Sequence, residues 1–189
     1  MSETVEGRDP VYDRRTRQLH LAVGGLVVVL WLMAQGNSFL PKGPLRLSIW
    51  SVHVLLGFLL AALVVARIAW RVSRGDRLPP VRAGLWGYAA SAVHYLLYLL
   101  LVAVVMLGIM NVFGHGFPLF GVWKFPRFWE KPFQHRIADW HGLAANIIAG
   151  VAAIHAIAAL WHHHVLRDGT LRRMWPARPG ASNPPGSGL

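Results

Sequence analysis

Hydrophobic positions in this chain neither alternate nor form narrow stripes. They come in four long runs, from about Leu19 to Leu40, Leu47 to Trp70, Leu85 to Phe113 and Ile137 to Trp161. About twenty consecutive apolar residues cross a bilayer as a helix. Each run meets that length, so the pattern predicts an all-α transmembrane four-helix bundle. The connection from 71 to 84 carries Pro79 and Pro80, and a long aromatic loop, Gly114 to Arg136, separates the last two runs. The tail from Pro176 onward is rich in Pro, Gly and Ser, a composition that cannot bury a core and reads as disordered. The expected organisation is an N-terminal segment at 1–18, a transmembrane domain at 19–166 and a partly disordered tail at 167–189.

The leader before the first run is long and contains Glu3, Glu6, Asp9 and Asp13. A cleaved signal peptide has a short basic n-region instead, so the first helix is expected to be retained. Composition agrees with lipid as the solvent. The 189 residues are 54% hydrophobic and 14% charged, with a mean hydropathy of +0.41, whereas soluble domains carry roughly 25% charged residues.

The net charge of +11 would suggest nucleic acid in a soluble chain. In one this apolar it reflects basic loops that set topology, and no nucleic-acid partner is expected. The N-terminal segment (Arg8, Arg14, Arg15, Arg17), the second connection (Arg67, Arg71, Arg74, Arg77, Arg82) and the tail (Arg167, Arg172, Arg173, Arg178) hold thirteen basic residues. The other side holds six, Lys42, Arg46, Lys124, Arg127, Lys131 and Arg136. Both termini are therefore expected in the cytoplasm, with the chain multi-pass in a bacterial inner membrane.

The sequence has no cysteine and ten histidines. Iron–sulfur ligation, zinc–thiolate sites and covalent C-x-x-C-H haem attachment are excluded, so any metal centre must rest mainly on imidazole. Every apolar run contains histidine: His20, His53, His94, and both His141 and His155. A lone intramembrane histidine is as readily a structural hydrogen bonder as a ligand. Five together point to function, because an imidazole in lipid is costly without a partner.

Fourteen residues separate His141 from His155. At about 100° and 1.5 Å per residue the two lie within about 40° of one face and about 21 Å apart along the axis. That suits one ligand for a haem near each membrane surface, and not two ligands on one metal. His53 and His141 enter their helices from the same side at similar depth, so topology pairs them. His155 needs a partner in the other half, where depth does not choose between His20 and His94. Gly24 and Gly57 each follow a histidine by four residues, leaving room on the ligand's face for a flat macrocycle, although glycines serve plain helix packing as well.

The segments R-T-R-Q-L-H at His20, S-V-H-V-L-L-G at His53, H-Y-L-L-Y-L-L from His94, W-H-G-L-A-A-N-I-I-A-G-V-A-A-I-H from Trp140 to His155, and D-G-T-L-R-R-M-W-P from Asp168 resemble the bacterial cytochrome b561 proteins. More loosely they resemble the cytochrome b subunits of membrane hydrogenases and formate dehydrogenases. The likeness runs from about residue 12 to 176, and the H-x13-H spacing is its most specific element. It implies two non-covalent haems b between helices, one held by His20 and His155 on the cytoplasmic side and one by His53 and His141 on the periplasmic side. His94 would stand behind the ligands or close to a quinone. The short single-chain form looks most like the superoxide oxidase type, in which periplasmic superoxide gives electrons to ubiquinone.

Other features have plainer readings beside the functional ones. His162, His163 and His164 do not share a helix face, and interfacial capping explains them better than a metal. His115 and His135 read as solvated or interfacial. The loop's Phe117, Phe120, Trp123, Phe125, Phe128, Trp129 and Phe133 suggest an aromatic belt and a short interfacial helix. Its basic residues, with Lys42 and Arg46, could form a positive funnel over the periplasmic site, or serve no catalytic purpose. Arg67 and Arg71 could bind haem propionates as bidentate donors, or snorkel.

Three functions follow. The first is a di-haem oxidoreductase passing electrons from a periplasmic donor, superoxide above all, to membrane quinone. The second is an electron-transfer subunit linking quinone to a partner dehydrogenase such as a hydrogenase. The third is a haem-free channel or structural membrane protein that uses histidine for packing.

Overall fold

A computed structural model describes residues 11–74, 85–168 and 170–174, without the side chains of residues 85, 86 and 131. The Pro79–Pro80 connection and the Pro/Gly/Ser-rich tail lie outside the described residues. Four long helices dominate: α1 (Arg14–Ser38), α2 (Pro44–Ser73), α3 (Leu85–His115) and α4 (Lys131–Trp161), the last running into a π-helical turn at His162–Leu166. The shortest has 25 residues and is about 37 Å long, more than the roughly 30 Å of bilayer hydrocarbon. All four are long and apolar enough to cross a membrane.

Helices α1, α2 and α4 begin before the apolar runs that predict them, because polar caps and proline set their starts. Asp13 caps α1, its carboxylate accepting from the Thr16 amide at 2.9 Å. Pro44 opens α2 and Pro132 sits in the first turn of α4, where the missing N–H costs nothing. Helix α4 thus begins six residues before its apolar run. His53 is nine residues into α2 and His141 ten into α4; His20 is six residues into α1, and His155 lies six before the end of α4. The two expected levels survive the shift in boundaries.

Helix α1 packs most extensively on α2, and α3 on α4, with thinner seams from α2 to α3 and from α1 to α4. The bundle is therefore two antiparallel hairpins facing one another. Val23, Leu30, Leu60, Val64, Leu101, Val104, Ala144 and Ile148 form its buried core. Large apolar side chains such as Leu21, Leu59, Leu99 and Ile154 point outward, as expected when lipid surrounds the bundle.

Polar side chains tie the ends. Asp13 also accepts from the Trp70 indole at 3.2 Å and Arg15 lies over that ring at 4.7 Å, joining the start of α1 to the end of α2. At the opposite end Asn37, 1% exposed, donates to the Arg46 carbonyl. Fully buried Ser51 accepts from the Phe120 amide at 2.8 Å and donates to the Leu47 carbonyl, which latches the long loop onto α2.

That loop differs from expectation. In place of an interfacial helix it forms a two-stranded antiparallel pair, β1 (Pro118–Leu119) with β2 (Trp123–Lys124). Gly116, Phe120 and Gly121 all have positive φ, which right-handed helix cannot accommodate. Its aromatic residues also turn inward in part: Phe125 stacks on Phe58 at 6.0 Å and meets Phe113 edge-on at 5.4 Å.

Candidate functional site: facing histidine pairs

Between the two hairpins lies a cavity of about 650 Å³, reaching from Leu30 and Leu60 to His115 and Phe117. His53 and His141 project into it from α2 and α4, their ring centroids 6.5 Å apart and their planes at 89°. At the other end of the bundle His20 and His155 face one another at 6.3 Å and 79°. Two imidazoles bound to opposite sides of one metal, each through a bond of about 2 Å, have centroids about 6 Å apart. Both pairs have that spacing.

His94 behaves differently. Its ring lies 5.2 Å from that of His155, too close to stand across a metal, and its Nδ1–H donates to the Ala90 carbonyl one turn back at 2.7 Å. The ring sits beside that of His155, on a residue that is partly open. Of the two histidines that depth leaves open, His20 has the wider spacing to His155, at 6.3 Å against 5.2 Å.

Ring orientation is fixed by the backbone of a neighbouring helix. His141 Nδ1 lies 3.0 Å from the Val104 carbonyl. A carbonyl only accepts, so Nδ1 carries the proton and Nε2 keeps its lone pair free to ligate, the usual arrangement behind a metal-binding imidazole. His53 Nδ1 is buried and makes no closed hydrogen bond, with the Leu30 carbonyl close by.

The surroundings also fit a haem. Gly57 lines the cavity, and a Cβ built there or at Gly24 meets nothing within 4 Å; these faces stand open, as a flat macrocycle requires. Arg67 donates from Nε to the Tyr98 hydroxyl at 3.0 Å, while its Nη1 is buried with no partner. Buried donors without acceptors are rare, and a guanidinium edge matches a carboxylate. Arg67 lies within electrostatic range of His20, His94 and His155, and Arg71 of His94. A carboxylate such as a haem propionate would satisfy that edge.

Three contributors were missed from sequence. Gly108 on α3 is one: its Cβ position lies 3.0 Å from His141 Cε1, so only glycine leaves the ring its place. Asn146 is another, its Oδ1 accepting from the Trp31 indole at 2.9 Å and from Gln35 at 3.2 Å across the α1–α4 seam. An asparagine in an apolar run is itself a signal of interhelical bonding. Tyr98, one turn beyond His94, is the third.

Of the remaining candidates among the described residues, His115 lines the far end of the cavity and the others lie elsewhere. Among the described residues no cluster of three or more ligating side chains forms a metal site, and His162 is engaged by Asp168. Burial would raise the Asp168 carboxyl, but hydrogen bonds from Thr170 and His162 outweigh it and hold the pKa at about 2. His115 and His135 are exposed, 6.4 Å apart. Among the described side chains, Lys42, Arg46, Lys124, Arg127 and Arg136 do not line the cavity; Arg46 and Arg127 donate to the Leu40 and Trp129 carbonyls.

Four membrane-crossing helices with imidazoles opposed inside the bundle define a multi-pass membrane protein of the b-type cytochrome class. Comparison with known proteins carries this further. The family described as prokaryotic cytochrome b561 matches residues 11–177, and the chain belongs to that family of haem b membrane electron carriers. It is 31% identical to a probable superoxide oxidase of Yersinia pestis over 86% of this chain and 94% of that protein. It is 32% identical to cytochrome b561 homolog 1 of Escherichia coli K12, over 85% and 94%. Cytochrome b562 of Cereibacter sphaeroides is 29% identical over 90% and 99%.

Proposed function

We propose that this protein holds two haems b, one between His53 and His141 and one between His20 and His155, and transfers electrons from periplasmic superoxide to ubiquinone. The observation that carries the reading is the pair of facing imidazoles at each of two levels, both at the spacing of bis-histidine ligation. Both termini would lie in the cytoplasm of a bacterium and the long loop in the periplasm, following the basic-residue asymmetry.

Held by an imidazole from each residue of a pair, His53 with His141 or His20 with His155, haem b would supply one-electron transfer and would favour outer-sphere reaction over oxygen binding. Two superoxide ions each give one electron and leave as dioxygen; one ubiquinone takes both electrons with two protons and leaves as quinol. His141, with its proton fixed on Nδ1 by Val104, and His53 keep the first site closed to ligands. The basic residues of the loop, with Lys42 and Arg46, act at a distance by drawing a small anion toward the cavity mouth. Arg67 neutralises a propionate at the second level. His94, beside His155 with its proton held on Nδ1 by the Ala90 carbonyl, is placed to accept at Nε2 a hydrogen bond from a quinol hydroxyl.

Mixing superoxide with quinone-loaded protein in a stopped-flow spectrometer tests the reading. Rapid haem reduction followed by quinol formation is expected; a spectrum unmoved by superoxide, with no quinol, refutes it. The name of one relative, a probable superoxide oxidase, supports this over the second reading, a subunit serving a partner dehydrogenase.

Arg67 gives a separate expectation. A positive charge favours the reduced iron. At an effective dielectric of about 20 and about 10 Å its effect is roughly 1.7 kcal/mol, or about 70 mV for one electron. Arg67→Gln should lower the midpoint potential of one haem by about that much and leave the other unchanged, as a redox titration of the two α-bands would record.

A further inference from the structure

At the end of the bundle where α1 begins and α4 stops, the chain builds a second, smaller pocket. The π-helical turn His162–Leu166 widens the last turn of α4. Arg167 follows in the left-handed region at φ 51°, a conformation unfavourable for a residue with a Cβ. Asp168 then accepts from the Thr170 amide and hydroxyl and from His162, so the reversal is tied from both sides. The outcome is a pocket of about 270 Å³ lined by His163, His164, Arg167 and Arg172. π-Turns and strained residues of this kind concentrate at functional sites.

The lining has basic side chains only, and two of the four are arginines, charged at every accessible pH. The volume is below the roughly 300 Å³ at which pockets admit drug-sized molecules, so it suits an anionic group and not a macrocycle. Beside it, Leu160, Trp161, Val165 and Leu166 are exposed on the stretch of α4 that leaves the apolar run. Cationic donors next to an outward apolar ledge, at a membrane surface, match the two halves of a phospholipid.

We infer that His163, His164, Arg167 and Arg172 form a binding site for the phosphate of an anionic phospholipid, whose acyl chains lie along Leu160, Trp161 and Val165. Arginine forks bind phosphate oxygens bidentately, and basic pockets at helix ends recognise anionic headgroups. The site is separate from the histidine pairs, so its occupancy and the haem content can be read independently.

Native mass spectrometry of the haem-loaded full chain, titrated with phosphatidylglycerol or phosphatidylcholine, tests this. Each arginine near a membrane surface is worth about fivefold in affinity for anionic lipid. Phosphatidylglycerol should therefore bind about thirtyfold tighter than phosphatidylcholine. Arg167→Asn combined with Arg172→Gln should abolish that preference; asparagine tolerates the left-handed conformation, so the turn is kept. Replacing both by lysine should keep most of it. Haem per chain and the Soret band should be unchanged in every variant, which separates loss of the site from loss of the fold. Equal retention of the two lipids by the unaltered chain, or an unchanged preference in the Asn/Gln variant, overturns the inference. Displacement of phosphatidylglycerol by millimolar inorganic phosphate overturns the lipid assignment in favour of a free-anion site.

Discussion

Replacing His141 by alanine is expected to remove one haem of two, and replacing His155 to remove the other. Each variant should retain close to one haem per chain by pyridine haemochrome, with the remaining α-band differing between them. The reasoning is geometric. The two imidazoles are about 21 Å apart along one helix, and each faces its own partner, His53 at 6.5 Å and His20 at 6.3 Å. A lost axial ligand leaves the macrocycle bonded on one side only. Retention of both haems in either variant would show that the facing pairs are not the ligands. His94→Ala serves as the contrast: its ring stands beside His155, not opposite, so both haems should stay while quinone reduction slows.

The second large effect is expected where no histidine is touched. A Cβ at position 108 would meet His141 Cε1 at 3.0 Å, so Gly108→Ala should push the ring by a few tenths of an ångström. Gly108→Val should displace it from the cavity. Overpacking of this kind costs about 1–3 kcal/mol in fold stability, which a bundle of this size tolerates, whereas a misplaced ligand is not tolerated at all. The valine variant should therefore show the spectrum of His141→Ala. Gly57→Leu approaches the same site from the other wall. Nothing protein-built lies within 4 Å of its Cβ, so the side chain grows into empty cavity and the fold should be untouched. Loss of one haem in both variants, with normal membrane insertion, identifies the cavity as the haem pocket. If Gly57→Leu carries two haems, the cavity serves another purpose.

Most of the architecture could be read along the chain because lipid imposes a one-dimensional rule. A helix in hydrocarbon must satisfy its own backbone and present apolar side chains over some twenty residues, and that length is visible without knowing any neighbour. The same rule exposes the histidines, since five imidazoles in apolar runs cannot be there for solvation. Periodicity then puts His141 and His155 on one face at two depths, and the alternating direction of the spans brings His53 level with His141. Helix ends were read less well. Asp13, Pro44 and Pro132 extend the helices into polar sequence, which a hydropathy run does not register.

Proximity between helices was decided only by packing. Whether His20 or His94 faces His155 depends on the rotation of α1 and α3 about their axes, and the two are level in depth; the fold answers with 6.3 Å across for one and 5.2 Å alongside for the other. The same holds for Gly108 beneath His141, Ser51 latching Phe120, Asn146 bridging Trp31 and Gln35, and Arg67 resting on Tyr98. Each joins positions far apart in sequence, and chains with identical hydropathy could rotate any of these contacts away. The long loop and the basic pocket after α4 belong with them, for single residues with positive φ, Phe120, Gly121 and Arg167, set their course. The bilayer fixes what each span must be; only the three-dimensional fit between spans selects which side chains meet.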